Sequence, residues 1–141
     1  MSRQTKPVLS DEDAGRIIEA GTRAAAGAGA RVSIAVVDDG GHLLAFRRMD
    51  GVHTGTVDVA LAKARTASGF RRPGRDLAAA LANGQSVLLT LPGCLPLPGS
   101  IPVIIDGAVV GAVGVSGASP QIDDEVAEAA ASAVAEGGTA P

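Results

Sequence analysis

After a polar start, the chain places apolar side chains at helical spacing. Ser10 is followed three residues later by Asp13, which favours a helix N-terminus because serine caps the first turn and the acid faces its amide groups. Small and aliphatic residues then recur at i, i+3 and i+4 until Gly27 and Gly29, which predict the end of the helix. The same spacing predicts three later helices, which lie around residues 57–67, around residues 77–81 and from Ser119-Pro120 onward.

Two pairs of extended, β-branched segments are each joined by a turn that contains Asp-Gly. The first pair is residues 32–37 and 42–49, and the second pair is residues 101–105 and 108–115. Asp106-Gly107 leaves a two-residue loop, which predicts a tight hairpin because both turn positions must tolerate a positive φ. Residues 86–91 predict a further strand.

Hairpins that alternate with helices favour an α+β fold over a doubly wound parallel sheet. We therefore predict a single domain with an antiparallel sheet of about five strands, flanked by helices on one side. No tandem repeat or linker composition divides the chain. We assign residues 1–8 to a flexible N-terminal arm, residues 9–136 to the domain and residues 137–141 to a disordered tail.

The composition excludes several classes of function. A net charge of -3 leaves no basic footprint for phosphates, so we expect no nucleic-acid partner. No apolar run approaches the roughly 20 residues that cross a bilayer, and residues 1–10 lack the apolar centre of a secretory signal. We therefore expect a cytoplasmic protein without membrane association. The single cysteine, Cys94, excludes an internal disulfide, and we interpret its thiol as a bystander rather than a nucleophile.

Four motifs in register resemble a bacterial family, the GlcG/HbpS family, which includes the C-terminal domain of PduO. They are VDDGGH at residues 37–42, RMDG at 48–51, AKARTA at 62–67, and IDG followed by GAVGVSG between 105 and 117. The likeness runs from about residue 9 to residue 133. It implies a profilin-like fold, a homo-oligomer and a small-molecule ligand, which in several members is haem or a corrinoid-related partner. Haem is therefore the possible cofactor that the resemblance suggests.

The most polar cluster runs from the end of the second predicted strand into the next helix. We predict a ligand site there because loops tolerate function and a helix start offers N–H groups to an anion. Lys63 is expected to point from the helix towards a ligand that the loop also reaches. Glycine at alternate strand positions leaves room for a ligand or, equally, for close helix packing. The candidate ligand-binding residues are Arg48, Asp50, His53, Thr54, Lys63, Gly114 and Ser116.

These residues permit two classes of function. The first is a small-molecule-binding protein whose ligand is haem or another planar or anionic metabolite. The alternative is a cofactor-independent enzyme of isomerase or lyase type, in which His53, Asp50 and Lys63 perform acid/base chemistry on a small intermediate, since imidazole exchanges protons near neutral pH.

Other polar residues have simpler interpretations. A scaffold without pocket chemistry also remains open, because Lys63 could be solvated, Asp50 could only form a turn and His53 could be an idle surface residue. We interpret His42 as structural. We interpret the acids at 123–125 as partners of a helix dipole rather than metal ligands.

Overall fold

Four antiparallel strands form the sheet of this protein, in the order β2-β1-β4-β3. The computed structural model describes residues 2–134, and the tail predicted at 137–141 lies outside them. The elements are α1 Asp11–Gly27, β1 Ser33–Asp38, β2 Leu43–Arg48, α2 Thr56–Phe70, α3 Gly74–Ala82, a 3-10 helix Ser86–Thr90, β3 Ser100–Ile105, β4 Ala108–Ser116 and α4 Pro120–Ala131. The predicted single-domain α+β class is confirmed. None of these helices is long and apolar enough to cross a membrane.

Both predicted hairpins form, for reasons that are local in sequence. Asp106 and Gly107 have φ values of 52° and 75°, as a two-residue turn between twisted strands requires. In the other turn, the Asp38 carboxylate accepts the backbone N–H groups of Gly40 and His42, each at 2.9 Å. Burial alone would raise the pKa of Asp38, but these bonds and the His42 ring hold that pKa below its ordinary value.

The fifth strand predicted at residues 86–91 is wrong. The backbone there forms a 3-10 helix, in which Leu88 N–H donates to the Gln85 carbonyl at 3.2 Å. Only Leu88 is buried, whereas Val87 and Leu89 are 61% and 65% exposed. The segment therefore buries one apolar side chain and forms its backbone hydrogen bonds locally, so it does not need a neighbouring strand.

Helices cover both faces of the sheet, so the expectation of helices on one side is also wrong. Ile34 and Val36 pack in a core cluster with α1 and α4, while Ala35 and Val37 pack with α2. Successive side chains of a strand point to opposite faces, so α2 lies on the face opposite α1 and α4. The uninterrupted apolar run of β1 carried this signal, because strands buried on both faces do not alternate with polar residues.

The Ala-rich α2 lies very close to β4. A Cβ atom at Gly114 would lie 2.2 Å from the carbonyl oxygen of Ala60 and 2.5 Å from the amide nitrogen of Ala64. Glycine at this position therefore lets the helix backbone approach the strand, which is the packing role left open by the sequence.

Serine side chains begin two helices as predicted. Ser10 accepts the N–H of Asp13 at 3.0 Å, and Ser119 accepts the N–H of Ile122 at 3.2 Å. The N-terminal arm lies near the first hairpin turn, because Lys6 Nζ contacts Asp39 Oδ2 at 2.5 Å.

Candidate functional site

Three loops meet at one end of the sheet and form a concavity that we call the loop cleft. They precede β1, follow β2 and follow β4, so they lie at the end opposite both hairpin turns. The cleft has a volume of about 470 Å³, within the usual size of small-molecule sites. Its lining residues are Ala28, Gly29, Ala30, Arg31, Gly51, Val52, His53, Gly117, Ala118 and Ile122.

Arg31 supplies the positive charge of the loop cleft. Its Nη1 donates to the carbonyl oxygen of Asp50 at 2.7 Å, so the side chain crosses towards the loop that follows β2. Gly51 has a φ of +87°, and a Cβ atom there would lie 3.3 Å from Arg31 Cδ. The guanidinium still has donors beyond this one bond for a ligand carboxylate or phosphate.

His53 brings an exposed imidazole to the same cleft. Its backbone is fixed, because its carbonyl accepts the hydroxyl of Thr56 at 2.7 Å and the N–H of Thr56 at 3.2 Å. The Thr56 hydroxyl also lies 2.9 Å from that of Ser33, which ties the loop and the start of α2 to β1. The imidazole is thus carried on a fixed backbone at the edge of the cleft.

Gly117 forms part of the cleft wall at a position where a side chain has no room. Its φ is +143°, and a Cβ atom would lie 2.6 Å from the carbonyl oxygen of Arg31 and 2.9 Å from Val52 Cγ2. The absence of a side chain therefore allows the loop after β4 to touch the other two loops.

Lys63 does not reach the loop cleft with His53. Only 4% of Lys63 is exposed, and its Nζ donates to the carbonyl of Val115 at 2.8 Å and to Asp123 Oδ2 at 3.1 Å. Asp123 in turn accepts the N–H of Ala118 at 2.9 Å through Oδ1. Asp123 lies in the first turn of α4, as predicted for a partner of the helix dipole, and it also forms a buried ion pair with a lysine 60 residues away.

Asp124, the next acid of α4, also has a specific partner. Its Oδ2 lies 3.1 Å from Arg75 of α3, and Glu128 binds the same nitrogen at 2.9 Å. Burial alone would lower the pKa of Arg75, but the two carboxylates raise it above its ordinary value.

The other predicted site residues take different places. Asp50 contributes its backbone carbonyl to Arg31 and its side chain is exposed. Arg48 and Thr54 are exposed and are not among the described residues that line the cleft. Gly114 and Ser116 are buried in β4. The structure thus brings His53 together with the 50–51 backbone, but not with the remaining candidates.

Arg31 is the cleft residue that sequence reasoning missed. It lies two residues before the start of β1, and its neighbour in space is the loop that follows β2. The start of one strand and the end of its antiparallel partner lie at the same end of a sheet. The hairpin prediction therefore contained enough information to place Arg31 beside the 50–53 loop.

A second concavity, which we call the helix groove, lies between α2 and the loop at residues 93–95. Its volume is also about 470 Å³, and it is lined by Asp58, Leu61, Ala62, Arg65, Gly93, Cys94 and Leu95. Thr66 anchors the loop, because its hydroxyl accepts the N–H of Leu95 at 2.9 Å. Burial raises the pKa of the Cys94 thiol, an effect that nearby Arg72 partly offsets.

These features define a single-domain α+β protein with a cleft of small-molecule size between loops at one end of its sheet. The chain belongs to the HbpS-like family: the family model described as haem degrading protein HbpS-like matches residues 9–132. The resemblance read from the sequence motifs is confirmed.

Individual relatives agree with this assignment. The chain is 43% identical over 113 residues to Protein GlcG of Escherichia coli strain K12, covering 80% of this chain and 84% of that protein. A crystal structure of a double mutant of Streptomyces reticuli HbpS is 37% identical, with a TM-score of 0.84, and covers 92% of this chain and 88% of that one. The PduOC:Heme complex is 23% identical with a TM-score of 0.83, over 91% and 96% of the two chains, and shows a shared fold.

Proposed function

We propose that the protein binds an anionic small molecule in the loop cleft. The observation that carries the proposal is the charge of the lining: Arg31 and His53 face the cleft, and none of the described residues that line it is an Asp or a Glu. An anion there meets a cationic donor and a second nitrogen ligand without a competing carboxylate. The helix groove differs, because Asp58 lies in the same lining as Arg65.

Haem is the ligand that we propose to test first. The family is described as haem degrading, and haem carries carboxylates as well as a metal. The residues present fit such a group, since the His53 imidazole would bind the iron and the Arg31 guanidinium would pair with a carboxylate. Bound haem supplies an iron centre whose reactivity depends on the axial ligand and on the surrounding polarity.

The test is a titration of the purified protein with haemin, followed by absorbance in the Soret region. We expect a saturable shift, and we expect His53→Ala to lower the affinity by about tenfold or more because a nitrogen ligand for the iron would be lost. His42→Ala is the matched control, since this exposed histidine lies at the hairpin turn. Equal losses in both variants, or no shift with the wild type, would contradict the proposal.

Binding of protoporphyrin IX distinguishes affinity that comes from the iron of haem from affinity that comes from its carboxylates. Protoporphyrin IX keeps the carboxylates and the plane of haem but lacks iron, so binding that depends on Arg31 should persist while the effect of His53→Ala disappears. An unchanged effect of His53→Ala on protoporphyrin binding would mean that the imidazole does not act through iron.

The geometry favours binding over the acid/base alternative. In that alternative Lys63 would act beside His53 and Asp50, but its ammonium group is bound to Asp123 and Val115. Only the imidazole remains on the cleft as a proton-transfer group among the three.

We also propose that the protein forms a homo-oligomer, as the resemblance implied. Large apolar side chains are exposed on the 3-10 helix at Val87 and Leu89 and on the edge strand β2 at Leu43. Burial of such side chains against a partner chain lowers the free energy, because apolar surface is removed from water. Light scattering over a range of concentrations should give a mass above 13.9 kDa, and a monomer at every concentration would contradict the proposal.

A further inference from the structure

The buried pair of Lys63 and Asp123 spans the loop that forms one wall of the cleft. Lys63 on α2 donates to the carbonyl of Val115, the second-last residue of β4 before this loop. Asp123 lies in the first turn of α4, just after the loop, and accepts the N–H of Ala118 in its middle. The buried pair therefore contacts the backbone before and within the loop that contains Gly117 and Ala118, and Asp123 itself follows that loop.

The surroundings of the pair show that it is closely enclosed. Both side chains are 5% exposed, and a Cβ atom at Gly99 would lie 2.8 Å from Lys63 Nζ and 3.0 Å from Asp123 Cβ. Gly99 also accepts the N–H of Val115 at 2.7 Å, so the backbone of the segment before β3 covers the ion pair.

Stability alone does not account for such a pair. Two buried charges lose their hydration, and well-packed apolar side chains of similar volume are often as stable or more stable. What apolar side chains cannot supply here is an acceptor for the Ala118 N–H and a donor for the Val115 carbonyl. The pair therefore contributes a defined loop conformation rather than a large folding energy.

We infer that Lys63 and Asp123 are positioning residues, which hold the 117–118 loop in the conformation that completes the loop cleft. The inference rests on the proposed function, because it concerns the ligand site at that cleft. Lys63, which the sequence predicted as a ligand-binding residue, then supports the cleft wall and does not contact the ligand. Arg31 and His53 contact the ligand, and the buried pair acts on it only through Gly117 and Ala118.

The experiment compares Lys63→Met/Asp123→Leu with Arg75→Met. The double variant replaces the charges by apolar side chains and removes the acceptor of the Ala118 N–H. Arg75→Met removes the two other ion pairs of α4, with Asp124 and Glu128, and is the matched control. Thermal denaturation establishes that each variant is folded.

Hydrogen exchange of the Ala118 amide, measured without ligand, tests the support of the loop. We expect exchange at least about tenfold faster in the double variant, since a charge-assisted hydrogen bond is lost, and no change in Arg75→Met. If the double variant does not fold, Lys63→Met/Asp123→Asn leaves no unpaired buried charge and keeps a neutral acceptor at position 123, and we expect exchange several-fold faster. Unchanged Ala118 exchange overturns the inference.

Titrations with haemin and protoporphyrin IX then test the consequence for binding. We expect the affinity of the double variant to fall by about tenfold while that of Arg75→Met stays at the wild-type value. Faster exchange with unchanged affinity would overturn the positioning role. If the wild type binds neither probe, the proposed function fails, whereas Ala118 exchange still decides whether the pair holds the loop.

Discussion

The loop cleft and the helix groove have the same volume, about 470 Å³, but they offer different surroundings to a ligand. The cleft is formed by loops from three parts of the chain, two of which carry Arg31 and His53. The groove lies along one face of α2, where Arg65 shares the lining with Asp58, two leucines and Cys94. Volume therefore does not distinguish the two surfaces, whereas the sign of the charges around each one does.

Both surfaces depend on α2, through two buried residues three positions apart. Lys63 fixes the wall of the cleft through Val115 and Asp123, and Thr66 fixes the wall of the groove through Leu95. One attachment uses paired charges and the other uses a neutral hydroxyl. Because a buried charge without its partner costs much more than a lost neutral hydrogen bond, the two regions should respond very differently to substitution.

The largest effect is expected from Lys63→Met, compared with Thr66→Val. Removing the lysine leaves the Asp123 carboxylate buried without its cation, which should lower the free energy of unfolding by about 3–5 kcal/mol. Thr66→Val keeps the side-chain shape and removes the acceptor of the Leu95 N–H, which should lower the free energy of unfolding by about 1–2 kcal/mol. Urea denaturation followed by circular dichroism measures both values. Equal losses would show that the charge of the pair is unimportant.

A second comparison uses the glycines of the two walls. Gly117→Ala should destabilise the protein by about 3 kcal/mol, because it combines a φ of +143° with contacts of 2.6 and 2.9 Å. Gly93→Ala should cost about 1–2 kcal/mol, since its φ is +75° but no atom lies within 4 Å of the added carbon. Thermal unfolding of the two variants tests this order, and a larger loss for Gly93→Ala would contradict the packing at Gly117.

Ligand affinity should separate the two arginines. Arg31→Met should weaken binding of protoporphyrin IX by about tenfold to a hundredfold, because a charge-assisted hydrogen bond contributes about 1.5–3 kcal/mol. Arg65→Met should leave the affinity unchanged, since the Arg65 Nε donates to the carbonyl of Gly41 and its side chain faces the groove. Because the chain has no Trp or Tyr, the fluorescence of protoporphyrin IX itself, followed as protein is added, gives both dissociation constants. A loss confined to Arg65→Met would move the site to the groove.

The smallest effect concerns the thiol of the groove. Because burial raises the pKa of Cys94, its thiolate fraction at a given pH is smaller than that of an exposed cysteine, and alkylation by iodoacetamide should be several-fold slower at pH 8. The rate should rise with pH along a curve displaced to higher pH, and Arg72→Met should displace it further. Saturating protoporphyrin IX in the cleft should leave the rate unchanged, and protection of the thiol would contradict this.

Features that depend on neighbouring residues could be predicted from the sequence. Ser10 and Ser119 begin helices, and Asp106-Gly107 forms a tight turn, because each needs only a few adjacent residues to define its conformation. The segment at 86–91 could not be assigned correctly, since a short apolar run satisfies a strand or a single buried turn equally well.

Pairings between distant residues could not be predicted in the same way. Lys63 and Asp123 are each ordinary helix residues in sequence, and only the packing of α2 and α4 around the end of β4 brings their charges together. The burial of the sheet on both faces could have been predicted from the apolar run of β1. The position of Arg31 could have been predicted from the antiparallel hairpin. The sequence therefore predicted a loop that lines the cleft, through His53, whereas Arg31 comes from another segment.

The contact between Lys6 and Asp39 places the N-terminal arm at the hairpin-turn end of the sheet. A strand of six residues spans roughly 20 Å, so the arm and the loop cleft lie at opposite ends of β1. A protein attached to a sensor chip through a tag before the arm would therefore present its three converging loops to the flowing solution. Immobilised binding assays of the haemin series should accordingly be oriented through the N-terminus.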